Sequence, residues 1–278
     1  MDHSGNCRIE VMGSMMSFLD VGAGEVVVLG HSYLWDAEMW RPQIDTLARR
    51  FRVIVPELWG HGRSGPMPAD TKDLADLARQ HLALLDRLGI QRFALAGLSI
   101  GGMWGAELAL IAPGRVSALA LLDTSLADEP EQSRRQYLGM LAAAEAAGHI
   151  PEPLLDAVVP LYFSPKVGER QPDLPKRFRA SLAGWDIERL RESVLPLGRM
   201  VFQRRDALED LKTLRMPALV MTGSDDVGRP PHEGQRMAEI LDCPFVAIPE
   251  AGHISSLEAP DFVTAQLLGF FTGVMPRH

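Results

Sequence analysis

The sequence has few cysteines, no basic cluster and no long apolar run, and each shortage excludes a class of protein. Its 278 residues include only two cysteines, Cys7 and Cys243, so neither a disulfide framework nor a cysteine metal site is expected. The formal charge is −8 at pH 7, and no run of lysines and arginines interrupts this acidic balance. A nucleic-acid-binding surface is therefore excluded. Gly, Asp and Glu break every apolar stretch before it reaches membrane-spanning length.

The remaining global features bound the organisation of the chain. Its length allows one large domain or two small ones and is enough to bury a sizeable core. The first seven residues lack the basic-then-apolar order of a secretory signal, so a cytoplasmic protein is expected. No His/Glu motif suggests a metal, and no cofactor is expected. The expected partner is a small-molecule substrate, with no nucleic acid and no membrane, and the chain is expected to be a monomer or a homodimer.

Strand-like and helix-like segments alternate in the first 124 residues. Strands are predicted at residues 8–12, 15–20, 25–29, 51–56 and 116–122, with another beginning at Phe93. Helices are predicted at about 40–50, 70–89 and 103–112. The apolar runs rich in β-branched residues are typical of strands buried on both faces. This alternation predicts an α/β fold with a mostly parallel central sheet and helices on both faces.

The alternation stops between Ser125 and about Leu214. This stretch is helical by composition, is interrupted by several prolines and contains no run typical of a buried strand. Strands at 218–222 and 245–248 and helices at 231–241 and 260–271 then resume the pattern. A helical insertion between two strands of one sheet predicts a cap over the carboxyl edge of that sheet. We therefore expect residues 1–124 and 215–278 to form the core domain, and residues 125–214 to form a cap inserted after the sixth strand.

The pattern Gly-x-Ser-x-Gly at residues 97–101 lies between a predicted strand and a predicted helix. A strand that turns at once into a helix strains the residue at the corner, and Gly97 and Gly101 remove side chains that would collide there. The hydroxyl of Ser99 would then stand clear of the sheet. It would lie at a helix N-terminus, which favours developing negative charge. This pattern predicts a nucleophile.

A serine nucleophile needs a base, an acid that orients the base, and two N–H donors for the oxyanion. His253 follows the last predicted strand and is the candidate base. Asp225 and Asp226 follow the preceding strand and are both candidate acids. The backbone N–H groups of Ile100 and Tyr33 are the candidate oxyanion donors. All these residues lie at the carboxyl ends of strands, where an open α/β sheet places its site.

The motifs resemble the α/β-hydrolase superfamily, and within it the small serine esterases and lactonases. The resemblance spans nearly the whole chain in the family's order and rests on residues 27–31, 56–64, 97–102, 223–226 and 251–260. In the family pattern Gly-x-x-Asp the acid corresponds to Asp226, although some family members use an acid at the position of Asp123. The family usually has His-Gly before its oxyanion residue, where this chain has His31 and Ser32, and the resemblance implies that Tyr33 keeps the oxyanion position.

These features favour a serine hydrolase that cleaves a small carboxylic ester or lactone through an acyl-enzyme. Ser99 would attack the carbonyl, His253 would act as general base, and Asp226 would orient His253. The same motifs occur in C–C bond hydrolases and cofactor-free perhydrolases, and a slow-turnover ligand-binding receptor of this fold is a further alternative. A serine nucleophile counts against the haloalkane dehalogenases and epoxide hydrolases, which attack with aspartate.

Large side chains in the core and in the predicted cap are candidates for the substrate pocket. These candidates are Trp35, Trp104, Tyr137, Met140, Tyr162 and Trp185. His31 and His61 are instead expected to be structural, with backbone carbonyls as their partners.

Overall fold

The computed structural model describes residues 5–275. Residues 1–4, part of the segment that lacks a secretory layout, lie outside the described range. Within it, eight strands form one sheet in the order β1-β2-β4-β3-β5-β6-β7-β8. Their bounds are β1 Asn6–Val11, β2 Ser14–Gly22, β3 Val26–Gly30, β4 Arg52–Pro56, β5 Phe93–Leu98, β6 Val116–Leu122, β7 Ala218–Gly223 and β8 Phe245–Ile248.

The sheet is mostly parallel, as the sequence predicts. β2 pairs antiparallel with β1 and with β4, whereas every other neighbouring pair is parallel. The central strands β3 to β7 are apolar and almost fully buried. Because parallel strands need crossover connections, helices cover the two faces of this sheet.

The helices of the core pack in two groups, α2 with α3 and α1 with α12. The helices are α1 Arg41–Leu47, α2 Leu74–Arg87, α3 Ile100–Ile111, α4 Glu131–Ala147, α5 Glu152–Val158, α6 Val167–Arg170, α7 Asp173–Ala183, α8 Ile187–Arg189, α9 Leu195–Phe202, α10 Pro231–Leu241, α11 Ser255–Glu258 and α12 Pro260–Val274. Short 3₁₀ segments occupy Ala37–Trp40, Val159–Tyr162 and Glu209–Thr213, and Leu190–Val194 is π-helical.

One predicted helix begins later than the sequence pattern suggests. The prediction starts near Asp70, but α2 starts at Leu74 because Asp73 caps it. A carboxylate oxygen of Asp73 accepts the N–H of Asp76 at 2.8 Å, which satisfies one of the free donors at the helix start. The apolar face of α2 is buried, as its helical periodicity predicts.

Residues 125–214, here called the helical segment, lie between β6 and β7 and contain helices α4 to α9 and no strand. The two ends of the segment meet, because the N–H of Ala207 donates to the carbonyl of Leu126 at 2.8 Å. The predicted helical content and position of this insertion are therefore confirmed.

Two further expectations from the sequence concern the cysteines and membrane-spanning helices. Cys7 and Cys243 are both free thiols. None of the helices between residues 5 and 275 combines the length and the apolar character needed to cross a membrane.

Candidate active site

Ser99 lies at the turn between β5 and α3, in a backbone conformation that is rare for a residue with a side chain. Its φ is 57° and its ψ is −122°, which is a strained combination for an L-residue. The flanking glycines permit the turn. A Cβ atom at Gly97 would overlap the backbone of Gly101, and one at Gly101 would overlap the backbone of Gly30. The structure thus contains the sharp strand-to-helix turn that the sequence predicts.

His253 and Asp226 form a hydrogen-bonded pair at the ends of two neighbouring strands. His253 follows β8 and Asp226 follows β7, and 2.8 Å separates His253 Nδ1 from Asp226 Oδ2. The other carboxylate oxygen of Asp226 accepts the backbone N–H groups of Gly228 at 2.8 Å and Arg229 at 2.9 Å. Both side chains are almost completely buried. Asp226 is therefore held by backbone donors on one side and presents its free edge to the imidazole.

Asp123, the alternative acid, has different partners. One of its oxygens accepts the N–H of Gly223 at 2.7 Å and the other accepts the hydroxyl of Ser255. Complete burial, together with the nearby charge of Asp226, raises the pKa of Asp123 well above its usual range. His253 is hydrogen-bonded to Asp226 instead, so the geometry favours Asp226 as the acid that orients the imidazole.

The two predicted oxyanion donors come from the nucleophile turn and from the loop after β3. The N–H of Ile100 is the first of α3, and the N–H of Tyr33 lies in the loop after β3. Neither N–H has a hydrogen-bond acceptor within the described part of the chain. Both groups are buried. Buried N–H groups without an acceptor are uncommon and are what an oxyanion site requires.

The two histidines that flank the Tyr33 loop are structural, as the sequence predicts. His31 Nδ1 lies 2.8 Å from the carbonyl of Ser32, and His61 Nδ1 lies 2.8 Å from that of Trp59. The second nitrogen of each ring accepts a backbone N–H from a neighbouring loop. Burial lowers the pKa of His61 to about 3 and also lowers that of His31. Both rings are therefore neutral supports of the loop.

Ser99 and His253 face one cavity between the sheet and the helical segment. No hydrogen bond joins the Ser99 hydroxyl to the His253 imidazole among residues 5–275, although such contacts often tighten only when substrate is bound. The volume of the cavity is about 120 Å³, whereas a single water molecule needs roughly 10–15 Å³. It therefore has room for a small organic molecule, and most of its walls are apolar.

Three of the six predicted pocket residues line this cavity, and three do not. Tyr137, Met140 and Tyr162 lie on its wall. Trp35, Trp104 and Trp185 are not among the residues that line it. Each indole packs against another ring instead: Trp35 is stacked on Phe178 with centroids 4.6 Å apart, Trp104 is stacked on His81 at 4.0 Å, and Trp185 meets His61 edge-on at 5.3 Å.

A buried ionic cluster on the cavity wall was not predicted from the sequence. Glu129 accepts Arg204 Nη1 at 2.8 Å on one oxygen and Arg229 Nη2 at 2.6 Å on the other. These partners lie 75 and 100 residues from Glu129 along the chain, so no local motif indicates the cluster. Within residues 5–275, no group of three or more His, Cys, Asp or Glu side chains could hold a metal ion.

Comparison with known proteins agrees with the fold. The family model described as the alpha/beta hydrolase fold matches residues 25–260. A solved structure of a thermophilic esterase from Thermogutta terrifontis is similar with a TM-score of 0.88 and 26% identity, covering 97% of this chain and 100% of that one. The enol-lactonase from Burkholderia xenovorans is similar with a TM-score of 0.84 and 26% identity, over 96% of this chain and 100% of that one.

A further relative is the dihydrolipoyllysine-residue acetyltransferase component of an acetoin cleaving system from Pseudomonas putida. It is 34% identical over 270 residues, which are 95% of this chain and 68% of that protein. Because the family model matches most of the sequence, the chain belongs to the α/β-hydrolase fold family. The esterase and enol-lactonase neighbours support a hydrolase.

Proposed function

We propose that the chain is a serine hydrolase that cleaves a small carboxylic ester or lactone. The observation that carries this proposal is the hydrogen-bonded pair of His253 and Asp226, which shares one cavity with the strained Ser99. The unpaired N–H groups of Tyr33 and Ile100 supply the oxyanion donors that such chemistry needs. The similarity to an esterase and an enol-lactonase supports the same class of substrate.

The proposed reaction proceeds in two halves. Ser99 Oγ attacks the carbonyl carbon while His253 Nε2 takes the hydroxyl proton, and Asp226 holds the imidazole by its Nδ1–H. The N–H groups of Tyr33 and Ile100 bind the negative oxygen that forms. His253 then gives its proton to the departing alkoxide. The acyl group remains bound to Ser99 as an ester. A water molecule, deprotonated by His253, attacks this ester and releases the acid.

In this proposal the helical segment is the cap of the site, and residues 1–124 and 215–278 form the hydrolase core. Two side-chain contacts tie the segment to the oxyanion loop. The Tyr33 hydroxyl donates to the carbonyl of Val194 at 2.7 Å, and the Tyr162 hydroxyl donates to the carbonyl of Tyr33 at 3.2 Å. The ring of Tyr162 also meets the His253 ring edge-on at 5.5 Å. The segment thus closes the site and supports the loop that carries Tyr33 and the loop that carries His253.

The proposed nucleophile is tested by covalent labelling. A fluorophosphonate should label the wild-type chain, and Ser99→Ala should abolish the labelling and lower ester turnover by about 10⁴-fold or more. Ser181→Ala is the matched control because Ser181 is exposed on α7, and it should behave as the wild type. Undiminished ester hydrolysis by Ser99→Ala would sink the proposal.

The substrate class is tested with a panel of acyl esters, lactones and thioesters of graded chain length, together with assays of C–C bond hydrolysis and of peracid formation. Turnover of a short ester or lactone is expected. Turnover confined to C–C bond cleavage or peracid formation would instead place the chain with the other serine enzymes of this fold. Ligand-induced thermal stabilisation without turnover would identify a receptor.

A further inference from the structure

Arg204 has one edge of its guanidinium group unoccupied, although the residue is buried. Its side chain is 2% exposed. Nη1 donates to Glu129 and to the carbonyl of Val201, at 2.8 and 2.9 Å. Nε and Nη2 are buried and have no hydrogen-bond partner within residues 5–275. A buried donor left unpaired is costly, and two on one charged group are exceptional.

Nε and Nη2 form the edge with which arginine binds a carboxylate through two parallel hydrogen bonds. Two other arginines of this chain use that edge in this way. Arg52 binds Asp20 with distances of 2.9 and 2.7 Å. Arg205, the next residue after Arg204, binds Glu107 with distances of 3.1 and 3.0 Å. Both are more exposed than Arg204. The most buried of these three arginines is therefore the one whose Nε and Nη2 bind no carboxylate within residues 5–275.

Neither carboxylate of the cluster reaches this edge of Arg204, although Glu233 Oε2 is itself buried without a hydrogen-bond partner in the described part of the chain. Both oxygens of Glu129 are already used, one by Arg204 and one by Arg229. Glu233 lies 3.5 Å from Arg229 Nη1 and so partly offsets the charge of that arginine. Burial, reinforced by the positive charge of Arg229, lowers the pKa of Arg204. That direction is expected for a cation that is removed from water beside a second cation.

The position of the cluster connects it to the catalytic residues. Arg204, Arg229 and Glu129 line the same cavity as Ser99 and His253. Arg229 belongs to the turn that holds Asp226, since its N–H donates to Asp226 Oδ1 at 2.9 Å. The Tyr137 hydroxyl, on the same wall, interacts with Arg229. A substrate in this cavity can therefore meet the nucleophile and the cluster together.

We propose that Arg204, held by Glu129 beside Arg229, binds a free carboxylate of the substrate, so that the hydrolysed ester or lactone carries a second, unesterified carboxyl group. This inference rests on the proposed serine hydrolase function and deepens it. The carboxylate would complete the empty edge of Arg204 with two hydrogen bonds. The apolar walls of the cavity would hold the carbon chain between that carboxylate and the reacting carbonyl.

The test compares two substrates that differ only in charge. Monoethyl esters of succinate, glutarate and adipate carry the free carboxylate, and the corresponding ethyl ester-amides replace it with a neutral group of the same shape. The measured quantity is the ratio of the two kcat/KM values, from release of ethanol. For the wild type, at least one chain length should favour the carboxylate by about 10- to 100-fold, as a charge-assisted bidentate contact implies.

Arg204→Lys is the diagnostic variant because lysine keeps the positive charge beside Glu129 and loses the two-donor edge. It should lower the ratio by about tenfold or more. Arg205→Lys is the matched control, since Arg205 carries the same group at the adjacent position but does not line the cavity, and it should leave the ratio unchanged. A general loss of folded protein lowers both kcat/KM values equally and so leaves the ratio unaffected.

Arg204 also borders a second cavity, which Glu129 and Arg229 do not line. A competition experiment on the wild type determines whether a carboxylate binds in the catalytic cavity or in this second cavity. Glutarate should slow fluorophosphonate labelling of Ser99 more than its diamide does, because it occupies the catalytic cavity. Equal effects of acid and diamide would overturn the inference even if Arg204→Lys does not fold.

The outcomes separate this inference from the function on which it rests. Equal cleavage of hemiester and ester-amide at every chain length, or a ratio that Arg204→Lys does not change, would overturn the carboxylate site and leave the serine hydrolase intact. Cleavage of neither class would contradict the proposed function, and the inference with it.

Discussion

The two walls of the cavity hold their functional groups in different ways. On the sheet side, Ser99 is fixed by a strained turn and Asp226 by two backbone N–H groups. On the side of the helical segment, Glu129 is held by the side chains of Arg204 and Arg229. A group fixed by the backbone keeps its position when its neighbours change, whereas a group fixed by another side chain depends on that one partner. The sheet side therefore suits chemistry, and the helical side suits selectivity.

The largest effect expected on the sheet side is the loss of the acid that orients His253. Asp226→Asn should lower kcat by about 10⁴-fold, because an amide can impose the wrong tautomer on the imidazole. Asp123→Asn is the matched control. Asp123 is hydrogen-bonded to Gly223 and Ser255 and not to His253, so its amide variant should retain most of the activity. Steady-state ester hydrolysis measures both, and a collapse caused only by Asp123→Asn would identify Asp123 as the acid.

The second prediction compares a glycine of the nucleophile turn with an exposed glycine of the helical segment. Gly101→Ala should destabilise the fold by about 3 kcal/mol, because the new Cβ meets the backbone of Gly30, which has no room to move. Gly139→Ala, in the middle of α4, meets no atom within 4 Å and should stabilise the fold by about 0.5–1 kcal/mol. Urea unfolding measures both. Equal changes in the free energy of unfolding for the two variants would contradict this prediction.

The third prediction concerns acid stability. Burial lowers the pKa of His81, in α2, to about 4, from about 6.5 for a histidine in water. The unfolded chain therefore binds a proton more readily between these values, and stability is lost as the pH falls below about 6.5. At pH 5 this one group should cost about 2 kcal/mol. His81→Phe should flatten the pH dependence of unfolding, whereas His149→Phe, at an exposed position of the helical segment, should not. An unchanged slope in His81→Phe would exclude this histidine as the cause.

The smallest loss of stability is expected at the contact between the Tyr33 loop and the helical segment. Tyr33→Phe removes the hydrogen bond to the carbonyl of Val194 and should destabilise the fold by about 1 kcal/mol. Tyr162→Phe removes a longer bond, to the carbonyl of Tyr33, and should cost less. Thermal unfolding ranks the two variants. A reversed order would indicate that the contact through Tyr162 is the stronger link between the walls.

The groups held by the backbone are also the ones that the sequence predicts well. Ser99 and Asp226 each follow a fully buried strand, and His253 follows the partly buried edge strand β8. The glycines beside them mark the close backbone contacts. The parallel strands bring the three positions to one edge of the sheet, so local patterns together with one topological rule predict their neighbourhood. The same reasoning predicts the helical segment, because an interruption of the alternation is visible in sequence.

The walls of the cavity could not be predicted in this way. α3 is apolar on nearly all sides, so its periodicity cannot distinguish Met103, which lines the cavity, from Trp104, which packs in the core. The contacts of Glu129 with Arg204 and Arg229 join positions distant in sequence, and each of the three residues by itself resembles an ordinary surface charge. Only the three-dimensional arrangement shows that they are buried together.

The contact between the two ends of the helical segment has a consequence for protein engineering. Leu126 and Ala207 are already joined by a backbone hydrogen bond, and Glu129 and Arg204 close the same gap with an ion pair. The chain thus leaves and re-enters the core at nearly one point. A different helical insert of suitable end-to-end distance could be grafted between these positions without straining the sheet. Chimaeras made in this way would exchange substrate preference while retaining the Ser99 turn and the His253–Asp226 pair.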